Sequence, residues 1–283
     1  IIEKSNEKNK KVAIGYQWSY SNAIQELKKD IINGNLGKAE KLKTIVLWPR
    51  DFAYYNRNNW AGKIKDNKGN LILDSVAHNA TAHYLHNMFY VLGNKINTSV
   101  FPFSIKAEIY RANDIENYDT AAFKIRTETD VELLYLASHA VDKQVNPKFV
   151  YEFEKATVKY SQDGEDNKIT AYFDDGDKKV YGDPFQNTTN KLWLMMEAIR
   201  KDKEVLCPPQ AALPQVKSIN GIQKQDIVNF PEDKIKYIYN DDQKSAVYME
   251  GLADILTDCY EQWKMPYELD VDWAQAGEEI ELL

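Results

Sequence analysis

Between about residues 105 and 181 apolar and polar positions alternate in short runs separated by turn-forming clusters. Seven such runs, at 105–110, 121–126, 132–137, 149–153, 157–160, 169–173 and 179–181, are rich in β-branched and aromatic residues. Gln162-Asp163-Gly164 and Asp175-Gly176-Asp177 are among the breaks. This pattern predicts a mostly antiparallel meander. Elsewhere the apolar spacing is helical. Ile24, Leu27 and Ile31 form one stripe on a helix over 19–32, which ends at Asn33-Gly34. Further helices are predicted over 75–92 (stopped by Gly93), 189–201, 211–221 and 244–263, with short strands at 12–16 and 43–48. Residues 1–10 read as the last turns of a charged helix, and 49–70 as an irregular stretch. From Pro266 the chain turns acidic and reads as an extended surface strap. The whole predicts an α+β fold, with helices on one face of a large, open, mostly antiparallel sheet.

Composition narrows the function classes. The chain has 283 residues, 43% of them hydrophobic and 12% aromatic, with a formal net charge of −7. With no basic run, nucleic acid and anionic membrane surfaces are not expected partners, and no apolar run reaches the length of a membrane-spanning helix. Two cysteines, Cys207 and Cys259, are too few for a disulfide scaffold, so reduced thiols are expected. G-x-G-x-x-G and G-x-x-x-x-G-K are both missing, and with them any visible backbone cradle for a dinucleotide or triphosphate. Zinc patterns and a G-x-S-x-G elbow are missing too.

Candidate chemistry lies in residues 50–83. The loop Arg50-Asp51-Phe52-Ala53-Tyr54-Tyr55-Asn56-Arg57-Asn58-Asn59-Trp60 combines hydrogen-bonding groups with flat apolar faces. A sugar needs both, for its hydroxyls and its C–H face. A polar surface loop with aromatic anchors has the same composition. Asp74 and His78 are one helical turn apart on the predicted helix, which places both on its buried face. A carboxylate there can set the orientation and basicity of an imidazole acting as general base. A structural histidine beside an N-capping aspartate is the alternative. Asn79 and His83 would project to the other side. His83 and His86 stand at i, i+3 without an acidic third ligand, so no metal site is expected. His139 reads as core.

These residues resemble the glucose–fructose oxidoreductase and inositol dehydrogenase family. The segment Val12-Ala13-Ile14-Gly15-Tyr16-Gln17 followed by a helix and the Gly34 to Gly37 turn is similar to that family's domain junction. Asn59-Trp60-Ala61-Gly62 and Gly69-Asn70-Leu71-Ile72-Leu73-Asp74-Ser75-Val76-Ala77-His78 are similar to its Trp-containing loop and its Gly-x-x-x-x-Asp-x-x-x-His signature. The resemblance covers nearly the whole chain. It implies a C-terminal domain of the dihydrodipicolinate-reductase-like type, at 17–283, preceded at 1–16 by the last helix and strand of a Rossmann domain. The intact protein is then expected to use NAD or NADP to oxidise or reduce a sugar or polyol, with no cofactor bound by this portion alone. His78 and Asp74 are the implied catalytic pair, and Tyr16, Gln17, Arg57, Asn58, Trp60, Asn79 and His83 the implied substrate contacts. Alignment from Gly93 would instead put His83 in the catalytic slot. The family's Glu-Lys-Pro motif is absent, and Glu3-Lys4-Ser5 lies too close to Gly15 to replace it. The resemblance also implies a homo-oligomer formed through the open sheet face. An NAD-dependent glycosidase, or a non-catalytic carbohydrate-binding or dimerisation module, would reuse the same scaffold. A cytoplasmic location is expected, although no targeting segment is read at the first residues.

Overall fold

In a computed structural model, residues 1–164 and 167–282 are described. The strands are β1 (Ala39–Leu47), β2 (Pro102–Arg111), β3 (Thr120–Thr127), β4 (Glu132–Ser138), β5 (Val145–Phe153), β6 (Ala156–Ser161), β7 (Ile169–Phe173), β8 (Lys178–Gly182), β9 (Val228–Asn229), β10 (Ile235–Asn240), β11 (Gln243–Met249) and β12 (Glu279–Glu281). The α-helices are α1 (Ile2–Glu7), α2 (Asn22–Ile32), α3 (Phe52–Asn56), α4 (Ala82–Val91), α5 (Asn190–Arg200), α6 (Pro209–Ile222) and α7 (Leu252–Gln262). The expected α+β fold is observed, and β2 to β8 contain all seven predicted strand runs.

The sheet order is β12-β2-β3-β4-β1-β5-β6-β7-β8, with β9 on the far end of β2. It is not one uninterrupted meander. β1 lies between β4 and β5, parallel to β4 and antiparallel to β5. Most other pairings are antiparallel, as the alternation predicts. The strand expected at 12–16 does not form: Ile14 donates its N–H to the Cys207 carbonyl, and the segment finds no partner strand.

Both faces of the sheet carry a core, which corrects the expectation of helices on one face only. Leu42 and Val46 of β1 pack with Ile24 and Leu27 of α2, Leu85 and Met88 of α4, and Ile219 of α6. The alternate residues Ile45 and Leu47 pack with Leu252, Leu256 and Tyr260 of α7. Period-2 alternation with both sets apolar requires cover on both sides. The predicted helix at 244–263 is also corrected. Its first part is β11, paired with β10 through a tight turn in which Asp241 and Asp242 both have positive φ. Two left-handed residues in succession are what a two-residue hairpin needs, and Asp tolerates that region. The acidic tail packs more firmly than a surface strap: Trp273 is buried against Tyr110 and Phe230, and β12 pairs with β2.

One buried charge strains this scaffold. Lys28 of α2 is fully buried, with its ammonium 2.5 Å from the Thr98 carbonyl and 3.6 Å from the centre of the Tyr90 ring. Burial lowers its pKa to about 7. The native state therefore binds fewer protons than the unfolded chain between about 7 and the ordinary lysine value, and stability rises with pH across that window. Lys28→Met should be more stable than the wild type at pH 6 by on the order of a few kcal/mol, and the advantage should shrink as pH rises toward 10. Urea titrations over that range check this; a constant difference between the two proteins would contradict it.

Candidate functional site

Residues 75–81 form turns, and α4 starts only at Ala82. The helical phasing expected for Asp74 and His78 is therefore corrected. Local polar contacts hold this stretch out of the helix. Asp74, 5% exposed, accepts the Gly62 N–H at 2.6 Å on one oxygen and the Asn79 amide at 2.9 Å on the other. The Thr81 hydroxyl bonds the Val76 carbonyl and the Tyr135 hydroxyl. Leu73, just before, has φ +55°. Asp74 and Asn79 thus lie together, not on opposite sides. The carboxylate ties the Trp60-Ala61-Gly62 end of the aromatic loop to the turn that carries His78.

His78 is half-buried, and its buried Nδ1 has no hydrogen-bond partner. Burial lowers its pKa, and the Asp74 charge opposes that shift. His83 occupies the first turn of α4 and also buries an unpartnered Nδ1. Burial, reinforced by the Lys191 ammonium, lowers its pKa to about 4. His86, one turn further on, is sealed. Its Nε2 lies 3.0 Å from the Ser19 hydroxyl and 3.6 Å from Cys207 Sγ, and burial keeps the ring neutral.

Tyr16 brings these imidazoles together. Its ring stacks on His86 at 4.0 Å and meets His83 edge-on at 5.3 Å. Its hydroxyl donates to Gln215 Oε1 at 3.3 Å, and Gln215 Nε2 donates to the Ala77 carbonyl at 3.0 Å, one residue before His78. Gln17 is half-buried in the 3₁₀ turn that follows. Sequence reasoning missed Gln215 and Ser19. Neither belongs to a motif, and only the packing of α6 and the 3₁₀ turn against α4 brings them here.

The aromatic loop forms a stack of its own. The Arg57 guanidinium lies 3.6 Å from the Tyr54 ring centre and 5.0 Å from that of Trp60. Asn58 has a structural duty, because its Oδ1 accepts the Trp60 and Ala61 N–H groups. Arg57 and Trp60 are exposed, and Gly62 and Asp74 link the Trp60 end of the loop to the turn that carries His78. His139, expected in the core, is buried just beyond β4 with Nδ1 2.8 Å from the Trp48 carbonyl. Among the described residues, no group of three His, Cys, Asp or Glu side chains could hold a metal ion, and no helix is long and apolar enough to cross a membrane.

Comparison with solved structures places this geometry on a known scaffold. UDP-N-acetylglucosamine 3-dehydrogenase GnnA from Acidithiobacillus ferrooxidans superimposes with a TM-score of 0.59 at 16% identity, over 79% of this chain and 64% of that one. The WlbA dehydrogenase from Bordetella pertussis, solved with NADH and UDP-GlcNAcA, gives 0.60 at 17% identity over 79% and 63%. The fold is that of the glucose–fructose oxidoreductase and inositol dehydrogenase group. A super-repressor mutant of Gal80p from Saccharomyces cerevisiae has it too, with a TM-score of 0.58 at 13% identity over 79% and 65%. The chain spans about two-thirds of the length of these structures or slightly less. Neither a protein-family model nor a curated protein sequence matches it.

Burial makes a direct prediction for the imidazoles. In a long-range ¹H–¹⁵N titration, His83 should stay neutral down to a midpoint of about 4, and His86 should not titrate before the protein unfolds. A native state that holds His83 neutral loses stability as pH falls from the ordinary histidine value toward 4, because the unfolded chain takes up the proton first. A His83 midpoint near the ordinary histidine value would refute this burial.

Proposed function

We propose that this chain is the substrate-binding, proton-transferring portion of an NAD(P)-dependent oxidoreductase acting on a sugar or polyol. The observation that carries this reading is the set of neutral imidazoles at the head of α4, tied by Asp74 to the Trp60 loop, on a scaffold it shares with GnnA and WlbA. A neutral imidazole can accept the proton of a hydroxyl that is being oxidised. His78 is the better base. Asp74 supports its charged form, whereas Lys191 opposes that of His83. Asp74 is then a positioning residue, and His83, Asn79, Tyr16, Gln17, Arg57 and Trp60 supply substrate contacts.

A dinucleotide does not fit the described residues. The two parallel pairings, β1 with β4 and β2 with β9, carry no Gly-rich turn leading from a strand into a helix. The hydride step is therefore not assigned to any residue of this chain, whose part is to bind the sugar, orient it and hold the proton. Residues 1–16 would meet the nucleotide-binding portion. Association of copies through the sheet is expected at β7–β8, where Tyr172 and Val180 are exposed; β5 is already covered by α7, whose Glu261 pairs with Lys148.

The test uses the intact protein, following sugar-dependent reduction of NAD(P)⁺. His78→Asn should lower kcat/KM by roughly 10²- to 10⁴-fold, the usual value of a general base, and leave cofactor affinity unchanged. His83→Asn should act mainly on KM. Near wild-type turnover in His78→Asn, with loss in His83→Asn, would transfer the role to His83. The likeness to a super-repressor mutant of Gal80p favours a second reading, a non-catalytic carbohydrate-binding module. Sugar binding without turnover in the intact protein would support it.

A further inference from the structure

The hairpin of β10 and β11 forms a two-stranded sheet of its own, apart from the main sheet. Its inner strand is anchored. Ala246, Val247 and Met249 of β11 are buried, Ala246 bridges to Asp51, and the Met249 N–H donates to the Ala140 carbonyl. Its outer strand is uncovered. One edge of β10 pairs with β11, and among the described residues the other edge pairs with no strand. That edge presents a row of backbone N–H and C=O groups that a further strand can take.

Three consecutive large apolar side chains stand along it. Tyr237 is 40% exposed, Ile238 41% and Tyr239 59%. Successive side chains of a strand point to opposite faces, so β10 is open on both faces as well as at its edge. Proteins guard such an edge with proline, with lysine or with a bulge that bends the strand away. Ile235-Lys236-Tyr237-Ile238-Tyr239-Asn240 has no proline, and its one lysine stands near one end. The hairpin does contain a bulge, between Ile238 and Tyr239, but the extra residue is Ser245 of β11. The Ser245 hydroxyl donates to the Ile238 carbonyl at 3.1 Å. The bend falls on β11, and β10 stays regular.

The charges select the partner strand. Lys236 stands near one end of β10, and the Asp241-Asp242 turn follows its other end. A second copy of β10 laid antiparallel brings each Lys236 beside the aspartates of the other copy. Laid parallel, it would set lysine against lysine and aspartate against aspartate. A dyad between Ile238 and Tyr239 places Lys236 opposite Asp241, and a dyad on Tyr239 places it opposite Asp242. Both registers keep the apolar residues at the centre. A twofold contact forms the ion pair twice. Lys236 now pairs only with the exposed Glu250, at 3.4 Å, a contact that costs little to exchange.

We propose that β10 is a strand-addition edge at which two copies of this chain dimerise, β10 against β10 antiparallel, as a four-stranded sheet across a twofold axis. This contact is separate from the association expected at β7–β8, and it does not depend on the catalytic reading. The contact is small, so a weak dimer is expected, with a Kd on the order of 10–100 µM. Sedimentation equilibrium from low micromolar to near-millimolar protein reads the dimer. Amide hydrogen exchange at the two ends of that range locates it. The amides of Lys236 to Asn240 should exchange more slowly in the concentrated sample. Ile238→Lys should weaken the dimer roughly tenfold or more, as a lysine at the centre of an edge does. Lys236→Glu should weaken it by roughly tenfold, and added salt should weaken the wild type. Asn tolerates the left-handed turn, so Asp241→Asn with Asp242→Asn keeps the hairpin. In that background Lys236→Glu should have much less effect, because the opposing carboxylates are gone. A protein that stays monomeric throughout the range would overturn the proposal. So would a dimer in which β10 exchange does not depend on concentration. Association lost in Tyr172→Lys but kept in Ile238→Lys would assign the contact to β7–β8 and overturn it as well.

Discussion

The parallel pairing of β1 with β4 positions the candidate site. Seven consecutive residues of β1, Lys41 to Leu47, register against Glu132 to Ser138. Because the strands run in the same direction, their C-terminal ends emerge side by side. Trp48 and Arg50 bond the backbone of Ser138 and His139, and His139 Nδ1 bonds Trp48 in return. The segment leaving β1 must therefore pass over this end of the sheet, where it deposits the aromatic loop, α3, the Asp74 turn and α4 in succession. Loops at the carboxyl ends of parallel strands are a recurrent place for ligands, and here one short parallel contact in a mostly antiparallel sheet creates such an end.

Asp74 then converts proximity into geometry. Its two oxygens hold the loop and the imidazole-bearing turn to each other, and a buried carboxylate needs such partners to be tolerated. Tyr16 and Gln215 do the same from the other side, joining the first residues of the chain to α4, α6 and the Ala77 carbonyl. Burial keeps His83 and His86 neutral, and at His78 the neighbouring Asp74 resists the same effect. Three histidines of similar sequence setting thus acquire different chemistry.

The strands between 102 and 182 were legible because side-chain period 2 survives wherever one face is packed more tightly than the other. Their order was not. Nothing local in 43–48 says that β1 enters between β4 and β5, since that depends on contacts about ninety residues apart in sequence. Helical spacing suggested a helix through Asp74 and His78, yet the carboxylate's own bonds stopped it from forming before Ala82. The β10–β11 hairpin, in which Tyr237 faces Val247 and Ile238 faces Ala246, was read in its second strand as the start of a helix, because Asp-Asp is a weaker turn signal than Asn-Gly. His78, Asp74 and Trp60 were recognisable as motif residues. Gln215 and Ser19 were not, because only tertiary packing gives them a role.

The most direct measurement is the long-range ¹H–¹⁵N spectrum of the four histidine rings in the intact protein while monosaccharides, inositols and UDP-sugars are added at constant pH. If the head of α4 receives the substrate, the rings of His78 and His83 shift with a common saturation curve for at least one of these compounds, and the sealed ring of His86 moves far less. A spectrum in which neither His78 nor His83 responds to any of them would contradict the assignment.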